Sequence, residues 1–336
     1  MKPLDYKSES ENLAIRAAWM SFVGGLTQSQ IARRLNVSPA KAHRLIIQAR
    51  EDGLVKVTVA GRPSQCLETE QRFCDLFELE SCTVSPDLSG IDQSDSASIK
   101  SVAHAAGSIL NGLFADAKMA KIGVGMGRTL TAAVSEMVSV ERSGLSIFSI
   151  TGSLTTNLAA NPYDIVLQLM SKTGGEGYLL PVPYLASSIN EKNLFLSQPG
   201  VRGLLEKSQN ADAFLVGVGS LEQKGHLVVN GLLSQTESDE LQSAGVVCDL
   251  MGHFINVDGD IVKAEIAQQA IGVQLDAIKG KRVFALAGGR SKALAMLAAL
   301  RTGIISDLII DEVLARALND LIDEREVEGG LIDAAE

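Results

Sequence analysis

Apolar positions in the first sixty residues recur at helical spacing. Ile15, Ala18, Trp19, Phe22 and Val23 fall at i, i+3, i+4, i+7 and i+8, which predicts an amphipathic helix over 11–23 with that stripe buried. Gly24-Gly25 ends it. Thr27 and Gln30 have the T-x-x-Q spacing of a capping box, opening a second helix that buries Ile31 and Leu35. A short break at Asn36-Val37 follows. Ser38 as N-cap and Pro39 at the first helical position start a third helix, with Ala42, Leu45, Ile46 and Ala49 facing inward and Gly53 as its stop. Leu54 to Val59 alternates with period two and predicts a short strand, a wing or a sheet edge.

Past Gly61-Arg62-Pro63-Ser64, which has the character of a linker, the texture changes. Short apolar runs, each followed by a Gly/Ser/Thr-rich turn or a helical pattern, occur at 120–130, 145–157, 211–221, 282–294 and 306–318. Continuous apolar strands alternating with helices predict a parallel sheet covered on both faces, a Rossmann-like α/β architecture. The expected division is a helical head over 1–60 and an α/β body over 61–336. In such sheets ligands sit beyond the carboxyl ends of the strands, where these glycine turns gather.

Charge sharpens the division. The chain of 336 residues carries a net charge of −10, yet residues 1–62 hold ten basic against five acidic side chains, leaving −15 on the remainder. A basic head on an acidic body puts a polyanion at the head. The four Cys (66, 74, 82 and 248) form no CxxC pair and the His are scattered, so neither a zinc site nor a disulfide framework is expected. No cofactor is expected. With no leader pattern and no run of about 18 apolar residues, the chain is expected in the cytoplasm, without a membrane partner.

The tight helix–turn–helix spacing with two good N-caps points to operator DNA as partner. The third helix would enter the major groove, with Arg44 the best candidate for a guanine edge. Arg33, Arg34 and Lys41 would hold phosphates, and Thr27, Gln28, Ser38, His43 and Gln48 complete the expected DNA-facing set. In the body, the loop Gly123-Val124-Gly125-Met126-Gly127-Arg128-Thr129 lacks the GK[ST] of a P-loop. Arg128 also stands where a dinucleotide fingerprint needs its third glycine. It offers approachable backbone N–H groups at a helix start, a hydroxyl and a guanidinium, which suit a phosphate or a cluster of sugar hydroxyls. Gly288-Gly289-Arg290-Ser291-Lys292 repeats the arrangement with a lysine one turn into the helix. The alternative is a sugar-phosphate isomerase or deaminase with an accessory head. That chemistry needs a positioned acid–base pair, and Asp249, Asp258 and Glu312 do not form a convincing one in the sequence. No catalytic residue is assigned, and an enzyme is not expected.

From about residue 12 to 320, the chain resembles SorC-type (SorC/DeoR-like) sugar-responsive bacterial transcription regulators. The resemblance is carried, in order, by the head "LTQSQIARRLNVSPAKAHRLIIQAREDGLVKV", "GVGMGRT", "PVPY" (181–184), "ADAFLVGVGSL", "CDLMGHFINVDG" and "AGGRSKALAMLAALRTGIISDLIIDE". It implies a winged helix-turn-helix joined to an effector domain like that of ribose-5-phosphate isomerase and glucosamine-6-phosphate deaminase. It also implies a homodimer or homotetramer, and operator binding for a carbohydrate or polyol operon controlled by a sugar, sugar phosphate or polyol. By position, the resemblance places the effector on Gly125, Gly127, Arg128 and Thr129, then Gly152, Ser153 and Leu154, then Gly217, Gly219 and Ser220. Asp249, Gly288, Gly289 and Lys292 complete the set, with Lys292 the anchor for a phosphate or hydroxyl. Two departures stand out. His253-Phe254-Ile255-Asn256 replaces the usual Arg-Phe-Phe-Asp run, removing an acidic group near the pocket, and Cys248 stands where glycine is usual.

Overall fold

The computed structural model describes residues 9–55, 61–88, 95–153, 164–221 and 226–333. The chain forms two compact units, Met1–Gly61 and Arg62–Glu336.

The first unit holds α1 (Glu9–Ala18), a π-helical turn (Trp19–Val23), α2 (Gln28–Leu35) and α3 (Pro39–Glu51). Its core is small: Ala14, Ala17 and Ala18 of α1 pack with Ile31, Ala32, Ala42, Leu45 and Ala49. The face expected of the first helix is therefore corrected. Ala18 is buried, but Trp19 is 64 % exposed, Phe22 44 % and Val23 70 %. The alanines, one position off the expected stripe, let helices approach closely. The change of pitch at Trp19 then turns the bulky residues away from that contact. Both N-caps form as the spacing predicts. Thr27 and Gln30 make a reciprocal capping box, and Ser38 Oγ accepts from Lys41 N at 3.2 Å. Asn36 closes α2 in the left-handed region at φ 52°, which Asn tolerates. Leu54 and Val55 pack against this core, whereas the strand expected over 54–59 lies from residue 56 outside the described residues.

The second unit begins with α4 (Ser64–Phe77), β1 (Ser81–Ser85), α5 (Asp95–Ala115), β2 (Lys121–Val124), α6 (Arg128–Glu136), β3 (Ser146–Ser149), α7 (Val166–Thr173) and β4 (Glu176–Tyr178). It continues through α8 (Ile189–Ser197), α9 (Pro199–Gln209), β5 (Ala213–Gly217), β6 (Gly219–Ser220), α10 (His226–Val229) and α11 (Gln235–Ser243). It ends with β7 (Val246–Leu250), β8 (His253–Asn256), α12 (Leu275–Ile278), β9 (Arg282–Leu286), α13 (Ala293–Arg301), β10 (Asp307–Asp311) and α14 (Glu312–Asp333).

Seven strands form one parallel sheet in the order β1-β10-β9-β5-β2-β3-β4, and β6-β7-β8 form a small antiparallel sheet. All five apolar runs picked out in the sequence supply strands of the parallel sheet. Their residues alternate between two cores. Phe214, Val216, Val283, Ala285, Leu308 and Ile310 join the core built with α4, α9, α13 and α14. Ala213, Leu215, Phe284, Leu286 and Ile309 join the one built with α5, α6 and α7. A parallel sheet buried on both faces needs apolar residues in both phases, hence the continuous runs. Past β2 the chain winds toward β4, and past β5 it winds toward β1, so the direction reverses between these neighbours. That reversal opens a crevice at the carboxyl ends of the strands.

Candidate functional site

A cavity of about 440 Å³ fills that crevice. Each wall belongs to one turn. Gly125, Met126, Gly127, Arg128 and Thr129 come from the turn after β2; Gly217, Gly219 and Ser220 lie from the end of β5 into β6; Gly288, Ser291 and Lys292 follow β9; and Asp249 comes from β7. Ten of the expected effector residues thus meet here. Gly152, Ser153 and Gly289 do not line the cavity, and Leu154 lies outside the described residues.

Gly152 and Ser153 act beside it. Ser153 N donates to Val182 O at 2.8 Å and Tyr184 N donates to Ser153 O at 2.9 Å, stitching the "PVPY" segment to the end of β3. A Cβ on Gly152 would lie 2.1 Å from Pro183 O, so only glycine permits this approach. Gly289 N donates to the buried Asp311 Oδ1 at 3.0 Å. Tyr184, Asp95, Ile99, Thr151, Met251, Leu227 and Val229 also line the cavity and were not expected there. Tyr184 and Met251 sit in motifs quoted above and Thr151 in one of the apolar runs, so a signal existed for these three; Asp95, Ile99, Leu227 and Val229 had none.

The polar floor is built from Asp249, Tyr184 and Lys292. The Tyr184 hydroxyl donates to the Asp249 carboxylate, 2.7 Å from both oxygens, and Gly252 N donates to Oδ1 at 3.0 Å. The hairpin turn Met251-Gly252, with both φ positive, presents that N–H. Burial pushes the Asp249 carboxyl up to about 6, against the pull of the Tyr184 and Gly252 bonds and of Lys292. Burial also raises the Tyr184 phenol. Lys292 Nζ is 3.5 Å from Ser220 Oγ, and burial first, then the Arg128 charge, lower its proton affinity. No side chain caps the start of α6, whose first residues Arg128 and Thr129 line the cavity. Lys292 stands at the junction of a 3₁₀ turn (Arg290–Lys292) and α13, a tighter start than the plain helix expected.

Asp258 and Glu312, the other acidic residues weighed in the sequence, lie elsewhere. Glu312 Oε2 accepts from Asp87 N at 3.1 Å, and Asp258 N is bonded to Asn256 Oδ1 in the turn after β8. Neither lines the cavity. His253 points away from it: Nε2 lies 3.0 Å from Val273 O, and burial lowers its pKa. Among the described residues no cluster of His, Cys, Asp or Glu could hold a metal ion, and no helix is long and apolar enough to cross a membrane.

In the head, Arg33, Arg34, Lys41, His43 and Arg44 are exposed and Gln48 is partly buried. Thr27 and Ser38 commit their hydroxyl oxygens to the starts of α2 and α3. Gln28 Nε2 and His43 Nδ1 are 2.9 Å apart, tying the start of α2 to the leading edge of α3.

Comparison with known proteins agrees with this architecture. Residues 61–319 match the model of a sugar-binding domain family, Sugar-bind. The erythritol catabolism regulatory protein EryD of Brucella abortus (strain 2308) is 36% identical over 308 residues, spanning 92% of this chain and 96% of that one. The transcriptional regulator LsrR of Enterobacter sp. (strain 638) is 28% identical over 312 residues, with 92% and 93% covered. The crystal structure of the full-length sorbitol operon regulator SorC from Klebsiella pneumoniae superposes with a TM-score of 0.67 at 20% identity, covering 93% of this chain and 99% of that one. The chain belongs to the Sugar-bind family, among the SorC/DeoR-type transcriptional regulators.

Proposed function

We propose that this regulator holds operator DNA with its helical head and releases or rearranges it when a sugar, sugar phosphate or polyol enters the cavity. The observation that carries the reading is a basic helix–turn–helix on the same chain as a cavity lined by Lys292, Arg128, Asp249 and glycine turns. Cations and an open helix start suit an anionic or hydroxyl-bearing end, and Asp249 accepts from hydroxyls. Similarity to EryD over nearly the whole chain puts erythritol and its phosphates first on the panel. The head works as a winged helix-turn-helix (residues 1–60), and residues 61–336 work as an isomerase-like effector and oligomerisation unit. The chain acts in the cytoplasm as a homodimer or homotetramer, which matches two half-sites about one helical turn apart.

In α3, Arg44 reads a base edge while Lys41, Arg33 and Arg34 hold phosphates, with Thr27, Gln28, Ser38, His43 and Gln48 at the same surface. The test is binding of the full chain to its own promoter DNA across a salt series. Affinity should fall steeply with salt and change on adding a panel ligand that stabilises the protein. Arg44→Ala should relax base preference, whereas Lys41→Ala should weaken all sequences alike. Salt-independent binding, or none, rejects the reading.

A further inference from the structure

The Asp249 carboxylate is gripped from one side and open on the other. Tyr184 reaches both oxygens at 2.7 Å from a segment 65 residues away, and Gly252 N–H adds a bond to Oδ1 at 3.0 Å. A carboxylate has about four lone-pair sites, so these two donors leave acceptor capacity, and Asp249 lines the cavity. Opposite it in β6 stands Gly219, where a Cβ would lie 3.3 Å from Asp249 Oδ2; glycine keeps that side clear. Tyr184 is 4 % exposed and held at its backbone: Tyr184 N donates to Ser153 O, and Ile271 N donates to Tyr184 O. The phenol is thus a fixed donor rather than a passing contact.

We propose that Tyr184 is a specificity-determining positioning residue: it holds the Asp249 carboxylate so that its free lone pairs accept hydroxyl protons from a polyhydroxylated effector, and it extends that recognition to lower pH. This rests on the effector reading above. A hydroxyl bond to an ionised carboxylate is charge-assisted, and protonation replaces an acceptor site with a competing O–H. The groups facing Asp249 are Tyr184, Gly252 N–H, the Cys248 thiol on its own strand and Lys292 after β9; Lys292 in turn senses Arg128 and Asp95. Burial sets ionisation at about 6, and the Tyr184 bond works to lower it. Effector affinity is therefore full about one pH unit or more above that value and declines as pH falls through 6. Removing the phenol hydroxyl moves that decline to higher pH.

The experiment is calorimetric titration of the full-length protein, Tyr184→Phe and Asp249→Asn with erythritol, sorbitol, erythritol 4-phosphate and inorganic phosphate, from pH 5 to 8. The expected result is that Tyr184→Phe keeps its melting profile but loses about tenfold in affinity for the polyhydroxyl probes, with its acid limb shifted upward. Asp249→Asn should lose both the affinity and the acid limb, and inorganic phosphate should bind all three proteins alike. Wild-type affinity and an unshifted limb in Tyr184→Phe overturn the inference, as does a parallel loss toward inorganic phosphate, which would mark a merely structural support. Should Tyr184→Phe fail to fold, an acid limb retained in Asp249→Asn overturns it instead. If wild type binds no probe, the effector reading falls and takes this inference with it; if wild type binds, only the inference is at stake.

Discussion

The Lys292 ammonium lies 3.5 Å from the Ser220 hydroxyl, joining the turn after β9 to β6 across the cavity. Burial and the Arg128 charge disfavour the charged lysine. A group whose proton affinity is lowered by folding weakens the fold where it is charged, and that cost fades as pH rises toward its unfolded value. Lys292→Met keeps the stem and removes the charge. The expected outcome is an unliganded melting temperature equal to or above that of wild type, with the ligand response weakened at least tenfold, about 1.4 kcal/mol. Melting curves with and without a stabilising probe check both halves.

Asp249 carries a similar tension with the opposite sign. Its carboxyl rises from 3.8 to about 6, so an ionised Asp249 at pH 7 costs the fold about 3 kcal/mol. A raised carboxyl leaves stability intact below pH 4 and erodes it as pH climbs to 6. Asp249→Asn should therefore gain over wild type through that window and hold the gain at pH 7. Urea unfolding at pH 4.5 and pH 7 measures it, and a difference that ignores pH rejects the assignment.

Gly152 packs tightly against the backbone of Pro183. With its Cβ position 2.1 Å from Pro183 O and 2.4 Å from Pro183 C, Gly152→Ala must push backbone against backbone. Overpacking of this kind costs about 1–3 kcal/mol. Because the contact positions Tyr184, the variant should also lose affinity for the probes; a variant as stable as wild type would show that the segment yields freely.

Asp307 anchors the amino-terminal ends of three strands. Fully buried, it accepts from Arg282 Nε at 2.8 Å and Nη2 at 2.6 Å, from Ser81 Oγ at 2.5 Å and from Ser306 Oγ at 2.7 Å. Asp307→Ala strips the acceptor from these donors. Arg282 is 37 % exposed and regains water, so the loss should be about 2–3 kcal/mol, read as a lower urea midpoint with ligand affinity unchanged.

Local signals carried much of this molecule. The Thr27 and Ser38 caps lie within three residues of their partners, and runs such as Val283–Leu286 and Leu308–Ile310 need no context to be read as buried strands. The glycine turns after β2, β5 and β9 were legible for the same reason, and they meet because a parallel sheet aligns the carboxyl ends of its strands. Less visible were β1, whose residues 81–85 read Ser-Cys-Thr-Val-Ser, and β4, only three residues long. Neither has a run long enough to outweigh its polar or glycine positions, and each is a strand because a neighbour supplies its ladder.

Tertiary structure alone decided the rest. Which face of the first helix is buried depended on alanines fitting between helices, a steric matter that hydrophobicity does not encode; Trp19 was the more apolar choice and lost. Gly152, expected at the site by position, packs against Pro183 beside the cavity. The pairing of Tyr184 with Asp249 spans 65 residues and exists only because one segment is stitched to β3 while the other forms a hairpin beside β6. The sequence by itself determined the strands, the caps and the glycine turns, whose causes lie within a few residues of one another. The polar floor of the cavity was left to the fold, because its geometry is set by distant segments brought into contact.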